Sequence, residues 1–117
     1  MKILISTTLV FLFIFWLHSS EQSQTLQLRR GSTNTFEGQL DESGQTFIEF
    51  NGKKGLPVQI KLVTKGKNVR FLLYAIHGRF QAPNRTAWVG RLPEEALWGV
   101  TITGRMNSIY KVIISAK

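Results

Sequence analysis

Pro57-Val58-Gln59-Ile60-Lys61-Leu62-Val63-Thr64 is the stretch that decides the fold. Val58, Ile60 and Leu62 fall on one face and Gln59 and Lys61 on the other. A period of two fits a half-buried β-strand and does not fit a helix. The same rhythm runs outward in both directions. Upstream, 33–40 alternates through Phe36 and Leu40, and 45–50 carries Phe47, Ile48 and Phe50. Downstream, 69–76 is apolar on both faces, with Phe71, Leu73 and Tyr74, and 88–92 is a short strand. Further on, 98–103 sets Trp98, Val100 and Ile102 against Gly99, Thr101 and Thr103, and 109–115 places Tyr110, Val112 and Ile114 on one face. β-Branched and aromatic residues dominate all of these runs, as a pleated, half-buried surface requires.

Turn chemistry separates the runs. Asp41-Glu42-Ser43-Gly44, Asn51-Gly52-Lys53-Lys54-Gly55, Lys65-Gly66-Lys67-Asn68, His77-Gly78 and Gly104-Arg105-Met106-Asn107 all suit chain reversal. With a leading strand at 26–29 the count is seven to eight. Short strands at this spacing, with no helical period between them, predict an all-β, antiparallel β-sandwich of jelly-roll-like form. The one helix-like stretch is Pro93-Glu94-Glu95-Ala96-Leu97, where proline and two acids suit a single helical turn. The longest connector runs from His77 to Ala87. A link of that length without its own secondary structure serves either as a binding loop or as a passive crossover between sheets.

The N-terminus reads as an export segment. Lys2 precedes an apolar run at 3–17, and the chain turns polar at His18-Ser19-Ser20-Glu21. That run is short of the roughly 20 residues a membrane-spanning helix needs, so the segment 1–20 is expected to be a helical signal peptide, with an uncleaved anchor as the alternative. Residues 21–31 then form a partly disordered leader and 32–117 the sandwich domain. Membrane contact is expected only through the N-terminal segment if it stays uncut.

The chain contains no cysteine, so no disulfide framework exists and stability rests on an apolar core. Formal charge is +8 for the whole chain. It remains +7 once the first 20 residues, which hold a single lysine and no acid, are set aside. Such a surface favours an anionic partner, either an envelope polymer or an acidic protein. Nucleic acid is not expected as a partner of an exported chain.

The body resembles two families of secreted bacterial β-domains. Gly38-Gln39-Leu40 with Thr46-Phe47-Ile48-Glu49-Phe50 resembles the opening strand pair of the pre-peptidase C-terminal (PPC) domain. Lys54-Gly55-Leu56-Pro57-Val58 resembles its glycine turn into a long strand, and Asn68-Val69-Arg70-Phe71-Leu72-Leu73-Tyr74 its following core strand. Gly90-Arg91-Leu92-Pro93 and Ser108-Ile109-Tyr110-Lys111-Val112 resemble its closing part. The chain departs from that pattern at Ile76-His77-Gly78, where the family has a Pro-Asp-Gly-like turn, and at Ala96-Leu97-Trp98, where it has a small-Gly-Tyr step. The Gly-led turn, the Leu-Pro step and the closing Tyr strand also resemble the bacterial inhibitors of g-type lysozyme. Arg105-Met106-Asn107 resembles an Arg- and Asn-containing loop of that second family. Both resemblances imply a non-catalytic domain: an accessory binding module in one case, a periplasmic or secreted inhibitor of a cell-wall hydrolase in the other. Lysozymes are commonly basic, and a domain at +7 is electrostatically mismatched to such a target.

No catalytic site is expected. Outside the N-terminal segment the chain has one histidine, His77, and one aspartate, Asp41, in separate connectors. No His/Cys cluster or acidic loop has the spacing for zinc or calcium, so no metal or other cofactor is expected. Candidate binding residues are His77, Arg79, Phe80, Arg85, Trp88 and Arg91 along the long connector and the strand after it, with Arg105 in the last turn. Arginine and aromatic residues concentrate binding energy at interfaces. Trp88 and Arg91 are three residues apart on one strand and so face opposite sides, which makes a core position the favoured reading for Trp88. Lys53-Lys54, Lys61, Lys65 and Lys67 form a second basic group, read first as a solvated face that blocks edge pairing.

Overall fold

A computed structural model of the chain describes residues 25–65 and 68–117. The export segment at 1–20 and the opening of the leader lie outside the described residues. Nine strands form two packed sheets: β1 (Thr25–Gln27), β2 (Thr33–Gln39), β3 (Gln45–Gly52), β4 (Pro57–Thr64), β5 (Arg70–Ala75), β6 (Gln81–Arg85), β7 (Ala87–Arg91), β8 (Ala96–Thr103) and β9 (Ile109–Ala116). The larger sheet has the order β1-β3-β8-β5-β6 and the smaller the order β2-β9-β4-β7. The expected all-β sandwich is the observed one, and among the described residues there is no helix.

The alternation of β4 does what its sequence requires. Val58, Ile60 and Leu62 are buried while Lys61 and Val63 face solvent. Ile60 pairs with Ile114 of β9 on one side and Trp88 of β7 on the other. Across the interlayer space, Phe50, Trp98, Val100 and Ile102 of the larger sheet close the core with no exposed surface. Each such side chain contributes roughly 1.5–3 kcal/mol on burial, which in a cysteine-free chain is the main stabilising term.

Three expectations are corrected. The connector from His77 to Ala87 contains a strand, β6, which brings the count to nine. Its alternation is masked because β6 bulges: Phe71 pairs with Arg85 but Leu73 with Ala82, and Asn84 takes φ 58°. A bulge and Pro83 together suit an edge strand, since both discourage pairing with a further chain. The helical turn at 93–97 does not form. Ala96 and Leu97 instead extend β8, paired with Gly52 and Asn51 of β3, so long-range pairing overrides local propensity. Finally, the leading strand is Thr25–Gln27 and runs parallel to β3, the one parallel pair among the described residues.

Two glycines are required by close approach. Gly52 faces the core, where an added Cβ would run into the buried Leu92 side chain and lie 3.3 Å from the Phe50 ring and 3.4 Å from Trp98. Gly99 faces outward, and the Tyr74 ring lies over it, 2.6 Å from where a Cβ would stand. Gly52→Ala is therefore expected to destabilise by about 1–3 kcal/mol, the usual cost of overpacking. Gly99→Ala is expected to cost less, because the half-exposed Tyr74 can swing toward solvent. Chemical denaturation of both variants checks the order.

The turn between β2 and β3 is fixed by Asp41, whose Oδ1 accepts from the Ser43 amide at 2.9 Å and from Ser43 Oγ at 2.6 Å. These bonds hold the Asp41 carboxyl below its ordinary value of 3.8, the side-chain bond being the larger cause. A depressed folded pKa means the stabilisation is complete above the unfolded value and is lost as pH falls through the folded one. An NMR titration is expected to find Asp41 ionising below 3.8 and Ser43→Ala to move it part of the way back. Titration unchanged by Ser43→Ala would refute this account of the turn.

Candidate functional site

The strand register assigns each sequence-derived candidate to an end of the sandwich. His77 and Arg79 lie exposed in the turn between β5 and β6, at the end where β3 finishes. The turn rests against β7–β8, since Gly78 approaches the Glu94 carboxylate. Arg91 lies at the same end, and its Nη1 donates to the Gly55 carbonyl at 3.0 Å. Arg85 is at the opposite end, paired with Phe71 near the start of β5. Arg105 is exposed in the β8–β9 turn, also at that far end, beside Asn107 with its φ of 71°. The seven candidates therefore do not form one cluster.

Phe80 and Trp88 do come together. Their rings meet edge to face at 5.9 Å, and Phe80 makes a second such contact with buried Trp98 at 5.6 Å. Trp88 and Gly90 point inward, while Val89 and Arg91 point out. The opposite facing of Trp88 and Arg91 thus follows the period of the strand. Phe80 thereby joins Trp88 of the smaller sheet to Trp98 of the larger. Edge-to-face pairs contribute about 0.5–1.5 kcal/mol beyond burial, so Phe80 and Trp88 have a packing role in addition to any contact with a partner.

A concavity lies elsewhere. A cleft of about 750 Å³ opens at the end where β3 finishes, between the β1–β2 link and the β3–β4 turn. Arg29 and Arg30 line one wall, Lys53 and Lys54 the other, and Glu95 is its single acid. Gln27 and Asn51, register partners across β1 and β3, line it too, over a floor that includes Leu56 and Ala96.

Local bonding sets both walls. Ser32 Oγ donates to the Arg29 carbonyl at 2.6 Å, and the Gly31 amide to the Ala116 carbonyl at 2.7 Å, which ties the arginine link to the end of β9. The lysine turn closes through Leu56 N–H to the Lys53 carbonyl at 3.2 Å and Gly55 N–H to the Leu92 carbonyl at 2.7 Å. Arg30 Nη1 donates to the Lys117 carbonyl at 3.2 Å. The side chains of Arg29, Lys53 and Lys54 have no ion-pair partner among the described residues.

Sequence reasoning missed this cleft. It placed Arg29-Arg30 in the leader and treated Lys53-Lys54 as a solvated face. The signal was present as two basic doublets, each beside a turn glycine, but 22 residues lie between them and only the β1–β3 pairing brings them together.

Chemically, the lining concentrates positive charge, with four cations against one acid. Among the described residues no group of three or more His, Cys, Asp or Glu side chains is placed to hold a metal ion. His77 and Asp41 sit at opposite ends of the sandwich, so they form no acid–base pair. No helix among the described residues is long and apolar enough to cross a membrane.

No protein-family model matches the chain, and no curated protein matches it by sequence. Solved structures do match its fold. Aeromonas hydrophila PliG, a periplasmic lysozyme inhibitor of g-type lysozyme, superposes with a TM-score of 0.59 at 14% identity, covering 80% of this chain and 96% of PliG. The PliG of Salmonella Typhimurium, described in the same terms, gives 0.56 at 10% identity over 81% of this chain and all of its own. The pre-peptidase C-terminal domain of a Bacillus anthracis collagenase gives 0.55 at 13% identity, covering 81% of this chain and 96% of that domain. No enzyme family is indicated. The chain has the β-sandwich fold shared by PliG inhibitors and PPC domains, as both sequence resemblances implied.

Proposed function

We propose that this is an exported, non-catalytic binding module that engages an anionic envelope component through the cleft end of its sandwich. The observation that carries the reading is the concentration of four cations around one concavity, three of them with no side-chain bond to any partner among the described residues. Unpaired cations held in a concave wall raise the local potential and attract polyanions. The apolar run at 3–17 after Lys2 supports export.

Cosedimentation with purified bacterial cell wall tests the proposal. The protein is expected to pellet with the wall at low salt and to be released as sodium chloride rises, because a screening length of about 8–10 Å near 0.1–0.15 M weakens exposed charge pairs. Reversing Lys53 and Lys54 to Glu is expected to cut the bound fraction severalfold. Arg85→Glu, at the far end, is expected to leave it nearly unchanged. Absence of binding at every salt concentration overturns the proposal, and so does equal loss in the Arg85 variant.

A second reading is favoured by the fold match to the two PliG proteins: inhibition of a lysozyme-type cell-wall hydrolase. The exposed Arg105-Met106-Asn107 turn is then the contact surface, at the end away from the cleft. An acidic or neutral hydrolase suits a basic inhibitor better than a basic one does. In a panel of lysozyme classes, this reading expects inhibition of at least one at micromolar protein, weakened by Arg105→Ala. A panel without inhibition removes it.

A further inference from the structure

The cleft carries more than positive charge. Its walls also present three acceptor-bearing groups, the side-chain amides of Gln27 and Asn51 and the carboxylate of Glu95. None of the three has a hydrogen-bond partner among the described residues. Thr25-Leu26-Gln27 pairs in register with Glu49-Phe50-Asn51, so the two amides stand side by side on the outward face.

A bare anion makes poor use of such a site. Amide and carboxylate oxygens repel it, and a ligand that displaces their water must donate hydrogen bonds in its place. Each carboxamide offers two donors and one acceptor oxygen, the complement of neighbouring hydroxyl groups. The cations ask for more than one negative charge. Against Arg29, Arg30, Lys53 and Lys54 stands only Glu95, and a single carboxylate ligand leaves much of that charge unanswered. A phosphate monoester carries about −1.5 to −2 at neutral pH and three acceptor oxygens, and the guanidinium fork matches it. A cleft of about 750 Å³ is within the usual size for a small-molecule site.

We infer that the cleft binds a phosphorylated saccharide, with the arginine and lysine doublets on the phosphate and Gln27, Asn51 and Glu95 on the sugar hydroxyls. The inference rests on the reading of this end as an anion-binding surface and names the class of anion. It divides the lining by role, the cations for the phosphate and the three acceptor-bearing groups for the hydroxyls.

Titration calorimetry with three probes tests that division. Glucose 1-phosphate is expected to bind at least tenfold more tightly than inorganic phosphate, and glucose alone not measurably. In Gln27→Ala/Asn51→Ala, glucose 1-phosphate is expected to fall to the affinity of inorganic phosphate, which itself stays unchanged. In Lys53→Ala/Lys54→Ala both are expected to weaken at least tenfold. Equal binding of glucose 1-phosphate and inorganic phosphate to the unaltered protein overturns the inference without recourse to any variant, and so does failure to bind glucose 1-phosphate. The same sample is carried through the cell-wall assay. Wall binding without sugar-phosphate binding overturns this inference alone, whereas loss of both also overturns the reading beneath it.

Discussion

The fit of Leu92 against Gly52 governs how the cleft end is built. Leu92 is 1% exposed and occupies the space that a side chain at position 52 would need. Around that contact the backbone closes from both directions: Leu92 donates to the Leu56 carbonyl at 3.0 Å and accepts from the Gly55 amide at 2.7 Å. Arg91 adds its bond to the Gly55 carbonyl. The turn between β3 and β4 is thereby pinned to the end of β7, and Lys53 and Lys54 are presented at its apex. A wall of the binding cleft is thus the outer side of a core contact, so packing and recognition are coupled through a missing methyl group.

The two sheets are joined at both margins by consecutive strands. β1 and β2 are the edges of the larger and smaller sheets on one side, β6 and β7 on the other. Only Thr86 separates β6 from β7, and its carbonyl accepts from the Leu62 amide at 2.9 Å. On the opposite side the link carries Arg29 and Arg30 and is anchored to Ala116, which accepts from the Gly31 amide and donates to the Ser32 carbonyl. Sliding of one sheet over the other is resisted at both edges, which is how a domain without disulfides keeps separate loops in a fixed relation.

What was legible in the sequence follows from where physical information is local. The alternation of β4, β8 and β9 is written residue by residue, and these strands lie where it puts them because burial on one face is a period-two constraint. β6 was hidden because its bulge at Pro83 and Asn84 breaks the period, and because an edge strand exposed on one side needs few apolar residues. The stretch at 93–97 has helical end signals, but pairing of Ala96 and Leu97 with β3 outweighs one turn of helix. Of the site residues, the facing of Trp88 was readable from strand parity alone. The cleft was not, because its doublets meet only through a parallel pairing that no local pattern encodes.

The position of β9 has a kinetic meaning. It is the last strand in sequence, yet it lies inside the smaller sheet, paired along seven residues with β2 and along seven with β4. A chain stopped short of Ile109 has β2 and β4 with nothing between them and lacks the buried Val112, Ile114 and Ala116. Nearly every stabilising pair joins strands far apart in sequence, and closing such loops precedes any gain from contact. The smaller sheet is therefore complete only when the residues of β9 are in place between β2 and β4.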